Sequence, residues 1–411
     1  MSCPSSLSAE DVSIWYAPEA DLSRPLFEQR MWWTEVPVRS ESLTASVTAT
    51  VSARIGTVEP DLVVTSRDVG GSLTLEAEAN QLFANLLIAV LQADVSPRFH
   101  PVEPPLGSGY WAAGAQIRNG SRRHCFAFLK RIRAADGRFD WYAYRQVEVD
   151  RLKHDASSGD LVLAEVSLLG TRMDPPVEDH EPPALWFFES PHSTNLMSGH
   201  DAIVESGGLP PSIIDLAIDL GNSLRTQRAL SRGGYAGGSG TGRMSVQYDL
   251  SAHYFGAAQT TAMHQDTWMD VSVKMRDSFG KGFDYRSAAA KPVSDRTVTV
   301  DSTDSDLVVQ GEIRGFDRDN TPSLAVTRVT GVPPLACAVQ SEECTLQTTD
   351  GCAVMAAPVV PLQESLALTV DFHVLRFSDG CALRLLEYPY DCSRYGMLLN
   401  QMSGNPPCVS L

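Results

Sequence analysis

Ten residues, Gly233 to Gly242, hold six glycines, the composition of a loop that could cradle phosphate. A phosphate loop needs G-x-x-x-x-G-K-[ST] opening a helix, so that backbone N–H groups and a lysine converge on the anion. Here Gly242 leads into Arg243-Met244 and an alternating, strand-like stretch, so the run reads as a contact loop rather than a nucleotide site. It offers no nucleophile elbow either, because Thr241 stands where G-x-S-x-G needs its second glycine after Ser239. The histidines (His100, His124, His154, His180, His192, His200, His253, His264 and His373) form no H-x-x-x-H or H-x-H pair that would bind zinc. Asp301, Asp304 and Asp306 have calcium-like spacing but lack the central glycine and closing glutamate of a calcium loop, and read as a solvated turn. Asn119-Gly120-Ser121 has the form of a glycosylation acceptor, which carries weight only in a secreted chain. No set of nucleophile, base and oxyanion donors emerges. The expectation is a protein without enzymatic activity, cofactor or metal.

Cysteine is the remaining reactive type. Cys3 and Cys125 stand alone in the first 330 residues, whereas Cys337, Cys344, Cys352, Cys381, Cys392 and Cys408 crowd residues 337–411. No Cys-x-x-Cys pairs point to zinc, so these six are candidate disulfide cysteines of a stapled module, with fifteen pairings open. Met1 to Ser6 show neither a basic start nor an apolar core, so no secretory signal is expected and synthesis belongs to a cytoplasm. Disulfides without such a signal suit a protein that matures after leaving the cell, as virion components do.

The chain has 411 residues, too many for one ordinary core, and is 43% hydrophobic and 20% charged, which excludes global disorder. Its net charge of −17 opposes a sequence-independent grip on nucleic acid phosphates or anionic membranes. The longest apolar run, Leu86 to Leu91, is far too short to span a bilayer.

Two half-chains repeat one order of elements. In the first, residues 42–51 alternate as a strand, 56–71 read as a long loop, 72–78 as a strand, and 81–91 switch to a helical period. A hairpin at 125–131 and 140–144 turns at Asp136-Gly137, and 160–170 closes the unit. In the second, 214–220 is a strand, 221–242 a long loop, 243–250 a strand and 254–263 a helix. A hairpin at 268–275 and 283–285 and a strand at 306–315 complete it. Tandem duplication explains five matched elements in succession better than coincidence. The expected division is an N-terminal arm (1–34), a first domain (35–173), a proline-rich linker and connecting segment (174–211), a second domain (212–332) and a Cys-rich β module (333–411).

The stretch Ser40-Glu41-Ser42-Leu43, then Asp68-Val69-Gly70-Gly71-Ser72-Leu73-Thr74-Leu75-Glu76 and the helix ending at Leu91, resembles the major tail tube proteins of long-tailed, non-contractile phages. So does Asp219 to Leu230 with Gly240-Thr241-Gly242-Arg243, and the resemblance spans about residues 35–330. The Pro-rich insertion at 94–120 departs from it. The resemblance implies a mainly β fold, a β-sandwich or curled sheet with a flanking α-helix in two tandem tail-tube-like domains, located in the virion tail. It implies stacking of rings into a channel for genome ejection, trimeric with pseudo-six-fold symmetry or else hexameric, with genomic DNA passing without specific binding. Tape-measure and tail terminator or tip proteins would be its partners. The long loops then supply inter-ring contacts, with Thr57, Glu59, Asp61, Arg67, Asp68, Asn222, Arg225, Gln227 and Arg228 as candidates. The Cys-rich module would decorate the outside. The alternative is a β-sandwich carbohydrate-binding or adhesion protein, using Trp32, Trp33, Trp111, Trp141, Tyr142, Trp186 and Trp268 as stacking faces.

Overall fold

The computed structural model describes residues 11–19, 24–52, 61–99, 111–112, 114–134, 136–179, 183–190, 196–206, 212–228, 234–254, 268–293, 297–299, 307–330, 372–376 and 382–386. The chain divides into two compact units, Met1–Thr330 and Gly331–Leu411. The first is mainly β with one α-helix among its described residues.

Its strands begin with β1 (Val12–Pro18), β2 (Met31–Val36), β3 (Val38–Glu41), β4 (Thr44–Ser52) and β5 (Asp61–Glu76), followed by helix α1 (Gln81–Val90). Next come β6 (Gln116–Arg118), β7 (Phe126–Arg133), β8 (Phe139–Ser157), β9 (Leu163–Gly170), β10 (Arg172–Met173), β11 (Val177–Asp179) and β12 (Trp186–Glu189). The second half has β13 (Ile203–Ser206), β14 (Ile213–Gly221), β15 (Arg225–Arg228), β16 (Ala236–Gly240), β17 (Ser245–His253) and β18 (Met269–Arg276). It ends with β19 (Lys281–Pro292), β20 (Thr297–Thr299), β21 (Val308–Gly315) and β22 (Ala325–Thr330). In the second unit, β23 (Phe372–Arg376) and β24 (Ala382–Leu386) form an antiparallel hairpin.

The pairing repeats. In the first half β3 and β4 pair with β5, β5 with β9, and β9 with the end of β8. In the second, β14 pairs with β17, β17 with β21, and β21 with the end of β19 and with β20. The start of β8 pairs with β7, which pairs with β1; β19 pairs along most of its length, from Gly282 to Ala290, with β18, which pairs with β13. On the far side of β8 lie β10 and β11, and on that of β19 lies β22. Every one of these pairs is antiparallel. Both β8 and β19 thus cross from one set of paired strands near their start to another at their end. In β8 the crossing coincides with a register shift between Val149 and Arg151 and with Gln146 at φ 47°, a bulge that bends the strand from one layer to the other.

Alternation builds the layers. Along β14 and β17, Leu216, Ile218, Leu220, Val246, Tyr248 and Leu250 are buried, while Asp215, Asp219, Gln247 and Asp249 point the other way. The buried faces share one core with α1, of which only Gln81 is not fully buried. That helix is apolar on every side except at buried Asn85, which donates to the Tyr16 hydroxyl at 3.0 Å and to the Arg98 carbonyl at 2.6 Å. Asn80 caps it by accepting from the Phe83 N–H at 2.9 Å. Phe83 reaches both His154 of β8 and Phe283 of β19, so α1 ties the two halves together.

Several segments differ from the sequence reading. The arm contributes β1 and β2, which pair with each other, and β1 also pairs with β7. The stretch 56–70, read as a loop, is strand from Asp61 onward. Gly70-Gly71 does not turn the chain there. At Gly71 (φ +149°) a Cβ would collide with the Ser42 carbonyl oxygen, so glycine permits a close backbone approach. The stretch 221–240 contains the hairpin β15–β16. The linker is also structured: Asp174 is fully buried, β11 pairs with β8, and β12 lies parallel to β2. The helix expected at 254–263 lies outside the described residues except for Tyr254, as do all six C-terminal cysteines.

Candidate assembly surfaces

The halves meet at one joint. The end of β8 pairs antiparallel with β14, Arg151 facing Gly221, Lys153 facing Asp219 and Asp155 facing Ala217. The order β3/β4, β5, β9, β8, β14, β17, β21, β20 is therefore one continuous antiparallel sheet. The Arg151 guanidinium forms a bidentate pair with Asp219, its Nε 2.7 Å from Oδ1, which raises the Arg151 pKa. On the buried side of the joint His154 is fully enclosed, and desolvation lowers its pKa to about 3. Its Nε2 lies 3.4 Å from the Tyr285 hydroxyl.

The borders of this sheet are open. Among the described residues β3 and β4 pair only with β5, and β20 pairs only with β21. Such borders present unpaired N–H and C=O groups to any strand that fits. On β4 the residues from Thr44 to Ala49 are exposed except half-buried Ala45, with Val47 at 56% exposure. The exposed face of the sheet carries a shallow groove of about 420 Å³ whose lining includes Asp155, Asp215, Asp249 and Glu312. Arg151, Lys153 and Arg314 flank it as ion-paired cations: Arg151 with Asp219, Lys153 with Asp155 at 2.7 Å, Arg314 with Glu312 at 2.8 Å. Among the described residues no group of three or more His, Cys, Asp or Glu side chains is placed to hold a metal.

The candidate loop residues fall into three sets. Arg67, Asp68 and Arg228 meet: the Arg228 guanidinium is 3.2 Å from Asp68, and Arg67 lies over the Tyr235 ring, 5.1 Å from its centroid. The Arg67 N–H also donates to the Gly234 carbonyl at 2.8 Å, so hairpin β15–β16 folds back onto β5 of the first half. Asn222 is not a surface contact. It is buried at the hairpin base, donating to the Val149 carbonyl at 3.1 Å. Arg225 and Gln227 are exposed on β15, Asp61 begins β5, and Thr57 and Glu59 lie outside the described residues.

Sequence reasoning missed the anchor of that hairpin. Buried Glu148 accepts from Ser239 of β16 at 2.8 Å and pairs with Arg123, whose pKa rises accordingly. Cys125 donates to the same carboxylate at 3.5 Å; burial first, then the Glu148 charge, pushes its thiol up to about 12 and keeps it protonated. Sequence spacing gives no signal for groups so far apart in the chain. The tryptophans of the adhesion alternative are largely internal: Trp33, Trp111, Trp141 and Trp186 are buried. Half-buried Trp32 stacks on Phe187 at 4.3 Å, and exposed Trp268 is covered by Lys291 and Arg318 at 4.6 and 4.5 Å.

No protein-family model matches the chain, and no curated protein matches it in sequence. Among the described residues no helix is long and apolar enough to cross a membrane.

Proposed function

We propose that this chain is the repeating subunit of a hollow tube, built as the tail tubes of long-tailed, non-contractile phages are built, from stacked rings through which a genome leaves the capsid. The observation that carries this reading is the β8–β14 joint, where two copies of one four-stranded arrangement already stand side by side in a continuous sheet. Among the described residues the sheet is left open at two unlike borders, β3/β4 and β20. A further copy satisfies both, and a head-to-tail contact closes into a ring when its rotation fits. Three chains supply six such units, so the rings are trimeric with pseudo-six-fold symmetry; true hexamers are the alternative. The acid-lined groove lies on the face that would line the channel, where it repels phosphates. The pairing of Arg67 and Asp68 with hairpin β15–β16 supports a built axial surface made from both halves. Tape-measure, terminator and tip proteins would be partners in the virion.

Electron microscopy of the purified full-length chain over a concentration series tests the reading. Rings or tubes with a central channel are the expected outcome. A monodisperse monomer throughout the series overturns it.

A further inference from the structure

The repeat fixes more than the fact of assembly. It fixes which residues of two copies should face each other. Gly170 ends β9 opposite Val69, and Gly315 ends β21 opposite Val246, so β9 and β21 occupy corresponding places. One step in from those ends, Leu169 faces Gly70, whose partner on β4 is Thr44; Arg314 faces Gln247, whose partner on β14 is Asp219. Thr44 is therefore the counterpart of Asp219. On the other side, Glu165 of β9 faces Lys153, while its counterpart Gln310 of β21 faces Thr297. Thr297 is the counterpart of Lys153. Inside the chain Lys153 faces Asp219.

We infer that β3–β4 of one copy joins β20 of a second copy in the antiparallel register of the internal joint, with Thr44 opposite Thr297, and that this joint is uncharged where the internal one is ion-paired. The inference rests on the ring reading and specifies its contact. The internal joint sets Arg151, Lys153 and Asp155 against Asp219 and Asp215, with Arg151 clamped on Asp219. The border of β3–β4 instead offers Ser40, Ser42, Thr44 and Ser46, and β20 reads Thr297-Val298-Thr299. The two charged residues on that border are already paired within the chain, Glu41 with Lys130 and Arg39 with Glu76 of β5 at 3.8 Å. Ser40 donates to the Thr74 hydroxyl at 2.9 Å, and Ser42 and Ser72 share a bond at 3.1 Å, so hydroxyls hold the strand to β5. The difference gives each border an address. A foreign β3–β4 has no anion for Arg151, and a foreign β20 has no cation for Asp219, so the halves of one chain match each other and copies match through the neutral pair.

The test places the photocrosslinking residue p-benzoylphenylalanine at Thr44 of the full-length chain. It is mixed with isotopically heavy parent, assembled, irradiated and mapped by mass spectrometry. Light-to-heavy crosslinks to the segment containing Thr297–Thr299 are expected. If rings form but the crosslinks map elsewhere, the joint is wrong while the ring reading stands; if nothing assembles with the parent alone, the ring reading itself fails, and this inference with it. A charge exchange gives an independent readout. Thr44→Lys with Thr297→Lys sets like charges face to face and should raise the concentration needed for assembly about tenfold or more, whereas Thr44→Asp with Thr297→Lys should restore it. A double-lysine variant that assembles like the parent overturns the register.

Discussion

His154 and Asp174 show how single buried polar groups set the stability of the large unit. The folded pKa of His154, about 3, lies below the roughly 6.5 of an unfolded histidine, so on acidification the unfolded chain binds the proton first. The stability tied to the neutral ring is complete above about pH 6.5 and is lost progressively as the pH falls towards 3. Glu19 acts in the opposite sense, since burial raises its pKa and acid favours its folded form. Comparing His154→Leu with the parent isolates the histidine: between about pH 7 and about pH 5 the parent's urea midpoint should drop more. Parallel drops would mean that the ring does not titrate in the unfolded chain alone. Asp174 and Arg145 are 0% and 1% exposed, 3.6 Å apart, and Asp174 also accepts from the Leu26 N–H at 3.0 Å. Asp174→Ala strips a partner from a buried guanidinium and should cost about 3 kcal/mol or more, read as a lowered thermal midpoint. An unchanged midpoint would show that Glu19 alone satisfies Arg145.

At the scale of elements, the close approach at Gly71 is the point where β5 passes from the sheet into the ribbon it forms with β4. Gly71→Ala meets the Ser42 carbonyl as well as an unfavourable φ, so a loss of about 1–3 kcal/mol is expected in denaturant unfolding, with hydrogen exchange rising first in β3 and β4. Protection that falls evenly across the sheet would argue against a local role. This glycine also explains what the sequence misled on. Strands with one buried face were legible, because β14, β17 and β18 alternate strictly. Strand β1 was not, since Ile14-Trp15-Tyr16-Ala17 is buried on both faces and gives a continuous apolar run without period. The pair Gly70-Gly71 reads as a turn in the sequence, whereas in the structure it marks a close backbone approach. Hairpin β15–β16 lacks any hydrophobic period, and its docking depends on Arg67 meeting Tyr235 across 168 positions of sequence. Of the residues offered as inter-ring contacts, Arg67, Asp68 and Arg228 make contacts within the chain that link β5 to hairpin β15–β16, while Asn222 reads in sequence like any surface polar residue although it is buried and bonded to β8.

At the scale of the whole molecule, the charge pattern separates two demands on one sheet. Its buried face must hold the halves together, and its exposed face, if it lines a channel, must let a polyanion slide. Cations on that face are tied to acids, as Arg151 is to Asp219 and Arg314 to Glu312, so little positive charge is left over for phosphate. Acids at Asp215 and Asp249 line the groove between them. Assembly would repeat this pattern around the bore, so small changes per chain multiply. The parent should therefore not retard duplex DNA at about 0.15 M salt, whereas Asp215→Lys with Asp249→Lys, shifting each chain by four charges, should bind it with an affinity that falls as salt rises, log K against log salt having a slope of about −0.9 per phosphate contacted. Fluorescence anisotropy with labelled duplex over a salt series measures both. DNA binding by the parent as strong as by the variant would mean that the exposed sheet face does not govern how this protein meets a polyanion.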